Sequence, residues 1–352
     1  MTGTSDCFVS VGYRQHAFKS YVISAFTQNR SDLPRNMGRF CHLACGASVA
    51  VRTVIKAGLV ALVLFMSLSD AAAAGWFDAG QAAYDRGDYA TALRLWRSSA
   101  DQGDAAAQSS LGAMYASGKG VQQDNAMAMT WYRKAADQGL ASAQYNLGVM
   151  YDHGQGLPQN YSAAVTWFRK AAEQGHPDAE YNLGVMYTDG RGVPRNFATA
   201  VTWYQKAADQ GNASAQSSLG TMYAFGKGVQ QDDVAAVTWF RNAAEQGHAG
   251  AQYNLGVMYA DGRGVPRNLA TAVTWHRKAA DQGNAVAQST LGAMYADGRG
   301  VPQDYVQAYM WLNLAAASGN RNAERNRDIA AGHMTPAQIA EAKWLARERN
   351  LK

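Results

Sequence analysis

Cysteine is nearly missing from this chain. Three occur in 352 residues, Cys7, Cys41 and Cys45, and all precede residue 75. The long stretch after them therefore has neither disulfides nor thiolate metal ligands, and cysteine carries no direct message about redox compartment. Charge of one sign is scarce as well. The formal net charge is +5 with an isoelectric point near 9.0, but residues 1–74 hold seven Lys/Arg against three Asp. The remainder is close to neutral with its signs interspersed, so it offers no stripe for a phosphate backbone, and nucleic acid is not an expected partner. A long apolar run is absent too. Ala57–Leu68 is about 12 residues, short of the roughly 20 needed to span a bilayer.

Catalytic constellations are also lacking. The seven histidines are His16, His42, His153, His176, His248, His276 and His333, and no pair stands at i, i+4 on a helix. They read as solvated turn residues rather than metal ligands. Ser109-Ser110 and Ser217-Ser218 recur without a repeat-matched His or Asp base, so a nucleophilic triad lacks its parts. The Gly118-Lys119-Gly120 type of loop joins helix to helix and lacks the G-K-[ST] ending of a phosphate cradle. Asp232-Asp233 reads as a helix cap and its neighbour. The expectation is a non-enzymatic protein with no cofactor and no metal.

Val51 to Ala74 has a three-part layout. Arg52 and Lys56 make a positive start, Ala57–Leu68 an apolar core, and Ala72-Ala73-Ala74 a small-residue cleavage site. That is the pattern of a secretory signal peptide, so the protein is expected to be exported, periplasmic or secreted, touching a membrane only through this segment if it stays uncleaved. Residues 1–50 show no periodicity and are read as an unstructured or mis-assigned extension, with Val51 or Met37 as the alternative start.

What fills the rest is repetition. From Ala107 a 36-residue frame restarts at Ala143, Ala179, Ala215, Ala251 and Ala287 without insertion, carrying Leu147-Gly148, Met150-Tyr151 and Trp167 and their counterparts. A fixed period in this range marks a solenoid of stacked supersecondary units. Within one unit Ala179, Leu183, Met186 and Tyr187 make one helical stripe. Gly184 interrupts it and predicts close approach of a neighbouring helix. Asp189-Gly190-Arg191-Gly192-Val193-Pro194 ends the helix, because glycine permits positive φ and proline cannot continue it. Asn196, like Asp124, Asn160, Asp232, Asn268 and Asp304, stands where an N-cap is wanted. Ala200, Trp203, Ala207 and Ala208 line a second helix ending at Gly211, with the Trp filling the gap toward the adjoining unit.

The frame L-G-x-M-Y-x-x-G-x-G-V-x-x-[DN]-x-x-x-A-x-x-W-[YF]-x-K-A-A-[DE]-Q-G resembles the Sel1-like repeat, a relative of the tetratricopeptide repeat. The resemblance implies an all-α, right-handed α-solenoid with six units over 107–322. Residues 75–106 are expected to form an N-terminal capping repeat, with Trp96 one place out of register and Asp88 as a cap. Residues 323–352 are expected to form C-terminal capping helices. There Thr335, Pro336 and Gln338 make a capping box, Ile339, Ala342 and Leu345 face inward, and Arg347, Arg349 and Lys352 face outward.

The same resemblance implies an adaptor whose concave face binds a protein or peptide segment. It places Tyr145, Tyr181 and Tyr253 on that inner wall, with Val149, Val185 and Val257 one turn on and Asp152 at the end of its helix. The other units carry Ser109, Ser217 and Ser289, then Ala113, Thr221 and Ala293. Tyrosine suits recognition because it combines apolar area, a polar tip and few rotamers, although the same rings also suit packing between helices. Where the tetratricopeptide family binds a peptide carboxylate with Asn after Leu-Gly, this chain has Val149, Ala113 or Thr221. Two alternatives remain: a groove for cell-wall or secreted polysaccharide, and the β-lactam-binding or -hydrolysing activity of a cysteine-rich branch, whose paired repeat cysteines this chain lacks.

Overall fold

The structure is a computed structural model that describes residues 75–350. The signal-peptide and extension readings for residues 1–74, and Lys352, lie outside the described residues. Sixteen helices and no strand occur among the described residues, arranged as seven hairpins followed by two terminal helices. α1 (75–85) pairs with α2 (Tyr89–Asp101), α3 (Ala105–Ser117) with α4 (Asn125–Asp137), and α5 (Ala141–His153) with α6 (Tyr161–Ala172). Next come α7 (Pro177–Asp189) with α8 (Phe197–Asp209), α9 (Ala213–Phe225) with α10 (Asp233–Glu245), and α11 (Ala249–Asp261) with α12 (Leu269–Asp281). The last hairpin is α13 (Ala285–Asp297) with α14 (Tyr305–Ala317), followed by the terminal helices α15 (Arg321–Ala331) and α16 (Pro336–Asn350). Each helix from α2 to α14 packs on the next in sequence, and α16 folds back onto α14. That pattern is an α-solenoid.

Hydrophobic layers run across the junctions between hairpins. One layer joins Ala128 and Ala135 of α4, Ala143, Leu147 and Met150 of α5, and Trp167 of α6. The Trp thus reaches across to the preceding hairpin, as its recurrence predicts. Leu147 is fully buried and Met150 nearly so, each such side chain contributing about 1.5–3 kcal/mol. A single hairpin cannot bury this face alone, which is why the array holds together only by stacking.

Gly184 has a specific reason. A Cβ there would come within 2.6 Å of the Tyr204 ring, so the residue after each Trp lies flat on the glycine of its hairpin partner. Phe168 does this on Gly148, Phe240 on Gly220 and His276 on Gly256. The same rule explains Trp96. Its ring covers Gly80, so it occupies the place of Tyr132 rather than that of a displaced repeat Trp. The first helix ends at Gly190 with φ 74°, and Gly192, with φ 70°, passes so close to the Tyr161 carbonyl that a Cβ would collide. The chain then turns into α8, where Asn196 accepts from the Thr199 N–H at 3.0 Å while its own N–H donates to Tyr187 O at 2.9 Å.

The C-terminal lid forms as the capping box requires. The Thr335 N–H donates to Gln338 Oε1 at 2.8 Å, and the Gln338 N–H returns to Thr335 Oγ1 at 3.3 Å. Ala342 and Ala346 are buried, with Ile339 and Leu345 packed beside them. One expectation needs correction. Arg349 does not simply face solvent: it lies 4.3 Å over Trp311 and 3.2 Å from Asp281, standing in for the lysine that covers other repeat tryptophans.

Candidate binding face

The sequence-selected residues all lie on first helices of the hairpins. Tyr145 and Val149 are half-buried on α5, Tyr181 and Val185 on α7, and Tyr253 and Val257 on α11. The first two pairs sit on consecutive first helices, each against its own hydrophobic layer. Tyr253 and Val257 stand apart from them, because α9 intervenes with Ser217 and Thr221 at the same positions.

Each tyrosine is anchored from behind by a ring. Tyr145 stacks on His176 at 4.8 Å and leans on Phe168 at 5.9 Å, and burial, reinforced by Asp178, raises its hydroxyl pKa. Tyr181 lies 5.8 Å from Tyr204, and Tyr253 5.3 Å from His276. Packing and display are therefore combined: one ring surface is held while the remainder is open. Asp152 differs. Its side chain is only 14% exposed and its Oδ1 accepts from Arg191 Nη1 at 3.2 Å. Its charge is neutralised within the array, which takes it out of the candidate set.

The repeat tryptophans belong to the scaffold. Lys134, Lys170, Lys206 and Lys278 sit 4.1–4.3 Å over Trp131, Trp167, Trp203 and Trp275. Nearby, Arg133 and Arg169 donate to the Tyr151 and Tyr187 hydroxyls at 2.8 and 2.9 Å.

The histidines depart from the solvated-turn reading in three places. His176 and His248 are N-caps, their Nδ1 atoms accepting from Ala179 and Ala251 N–H groups at 3.4 and 3.1 Å. His276 is 1% exposed, its Nδ1 has no hydrogen-bond partner, and burial pushes its pKa down to about 4, so the ring is neutral. No group of three or more His, Cys, Asp or Glu able to hold a metal occurs among the described residues.

A polar ladder was missed in the sequence. Gln144 is buried, donates to Ala136 O at 3.2 Å, and accepts from Gln174 at 2.7 Å, tying three helices together. Gln108–Gln138, Gln216–Gln246 and Gln252–Gln282 repeat the link. In one unit a carboxyl, Glu180, takes the glutamine's place; it accepts from Gln210 at 2.7 Å, and burial raises its pKa. The signal available was a glutamine 30 positions after a Gln or Glu in five units, four of them Gln–Gln.

The family model for the Sel1 repeat matches seven consecutive segments, 73–104, 105–140, 141–176, 177–212, 213–248, 249–284 and 285–320. The chain belongs to the Sel1 repeat family. Its first hairpin is thus a repeat in its own right, with a shortened loop. Among solved structures, a Sel1 repeat protein from Oxalobacter formigenes is 35% identical with a TM-score of 0.64, over 68% of this chain and 96% of that one. A protective antigen of uropathogenic Escherichia coli with an SLR fold is 30% identical, with a TM-score of 0.37, over 79% and 76% of the two chains. An immunity protein from Pseudomonas aeruginosa is 23% identical, with a TM-score of 0.39, over 54% and 73%. No curated protein matches the chain. Sel1 repeat proteins are mostly non-catalytic scaffolds that commonly bind proteins, and this chain has the solenoid they share.

Proposed function

We propose that this Sel1 repeat protein is an exported, non-enzymatic adaptor that holds a protein segment along the face of its first helices. The observation that carries the reading is the adjacent pair of Tyr–Val patches on α5 and α7. Ring stacking holds the tyrosines in place before any partner arrives, so contact loses little rotamer freedom. The half-buried valines supply apolar floor between them, while Ser217 and Thr221 on α9 leave a smoother stretch before Tyr253. Export rests on the signal-like layout of residues 51–74, and the expected site of action is the periplasm or outside the cell.

Replacing Tyr145, Tyr181 and Tyr253 together by Ala is expected to abolish capture of an envelope partner in affinity purification, with helical circular dichroism retained. Phe at the same positions keeps the anchoring rings and is expected to retain most capture. Unchanged capture by the Ala variant would move the binding face elsewhere.

A further inference from the structure

Five of the six long loops between paired helices carry a cation at one register, Gln155 being the exception, and four of the five cations are engaged from within. Lys119 donates to the Tyr84 hydroxyl at 3.2 Å. Arg191 reaches Asp152 Oδ1 at 3.2 Å and Asp189 at 3.3 Å. Lys227 lies 5.9 Å from the Phe197 and Phe225 rings. Arg263 holds Asp233 Oδ1 at 2.6 Å and donates to Ala224 O at 2.8 Å. The acid comes from one of two places, 39 residues before the arginine as in Asp152 or 30 before it as in Asp233.

Arg299 has neither. The corresponding residues are Ala260 and Leu269. Asp297 stands two residues before it, as Asp189 does before Arg191, yet among the described residues no ion pair joins any acid to Arg299. The space left is a recess of about 340 Å³ whose walls include Ala260, Ser289, Thr290, Asn322, Asn326 and the Arg299 side chain. His276 also lines it, almost fully buried and with an unpartnered Nδ1. Two hydroxyls and two amides beside one guanidinium suit a planar group with a single negative charge and several acceptor lone pairs.

We propose that the Arg299 recess is a binding site for a carboxylate, filled from outside by the group that Asp152 and Asp233 supply internally to Arg191 and Arg263. Ser289 and Ala293 occupy on α13 the positions that Tyr145 and Val149 occupy on α5, so the recess opens on the same helical face. Taken together with the protein-segment reading, on which this part rests, the carboxylate is an acidic side chain or chain end of that segment. A guanidinium left free by loss of its internal acid needs no rearrangement to accept it.

Titration of the full chain with the N-acetylated, C-amidated tripeptide Gly-Glu-Gly, followed by NMR of the Arg299 Nε–H and the Ser289 and Thr290 amides, tests the site. Saturable shifts are expected, and the Gly-Gln-Gly peptide is expected to bind at least about tenfold more weakly. Arg299→Met is expected to abolish the shifts. Ala260→Asp is the more telling variant, because it restores the internal acid, leaves the arginine in place, and is expected to block the peptide. Arg191→Met, at an occupied site, is expected to leave binding unchanged.

Equal binding of the two peptides, or shifts that survive in both Arg299→Met and Ala260→Asp, would overturn the proposal, as would no binding at all. Those results leave the tyrosine face untouched, since its test is capture of an envelope partner. Free glutarate binding through Arg299 while the peptides do not bind keeps the carboxylate site and refutes the protein-segment reading at this end of the array.

Discussion

At the scale of single residues, the position after each Trp does most to distinguish the units. Phe168 and Phe240 cover their glycines with an apolar ring, whereas His276 does so with a buried imidazole lacking a partner for Nδ1. The pH dependence follows from the sign of its shift. The unfolded ring titrates near 6.5 and the folded one near 4, so below 6.5 only the unfolded chain readily takes up the proton. Stability from this group is full above pH 6.5 and is lost as pH falls toward 4. His276→Phe fills the same place without the polar atom. It is expected to raise stability by about 1–2 kcal/mol near pH 7 and to reduce the loss on acidification, read from urea midpoints at pH 7.5 and 5. An equal acid loss in the variant would assign the sensitivity to other groups.

At the scale of the element, helices of about 13 residues cannot be stable in isolation, so their ends and contacts carry the argument. The caps were legible because Asn196 and its counterparts recur before alanine-rich stretches, and each accepts from the first turn of its helix. The close approach at Gly184 was legible in kind but not in partner. Nothing local says that the neighbour is the Tyr204 ring, since that depends on how the two helices of the hairpin cross. Gly184→Ala gains up to about 1 kcal/mol of helix propensity but forces a methyl to within 2.6 Å of that ring. Overpacking costs about 1–3 kcal/mol, so a net loss of about 1–2 kcal/mol is expected in thermal denaturation. A raised melting temperature would show that the ring yields freely.

Across the whole array, units pack mainly on their sequence neighbours, with the reach of Arg349 in α16 back to Asp281 of α12 as an exception, so stability is close to a sum of unit and interface contributions. The glutamine ladder runs through these interfaces and ends imperfectly. Gln288 donates to Ala280 O at 3.1 Å, but its Oε1 has no partner, because Ser318 stands where Gln282 and its counterparts stand. Ser318→Gln is expected to complete the link and add about 1 kcal/mol. In a linear array that gain stays local. Slower hydrogen exchange is expected in α13 to α15 with α3 to α5 unchanged. A uniform change along the chain would mean that the array unfolds as one unit.

The period, the two helices of each unit, their caps and their glycine stops were settled by the sequence alone. Each rests on local chemistry: side-chain spacing along a helix, a side-chain oxygen before a first turn, and a backbone that must take positive φ. The candidate tyrosines could be named only through the resemblance to the tetratricopeptide pattern, which implies that their positions on the first helix line the inner wall. Their stacking on His176, Tyr204 and His276, the internal capture of Asp152 by Arg191, and the unfilled place around Arg299 could not. These contacts join residues 23 to 39 positions apart, and their pairing depends on how the helices of a hairpin cross and how each hairpin sits on its neighbours. Only the tertiary structure decides that register, because it is set by the collective packing of Leu, Met and Trp between hairpins rather than by any residue in the contact itself.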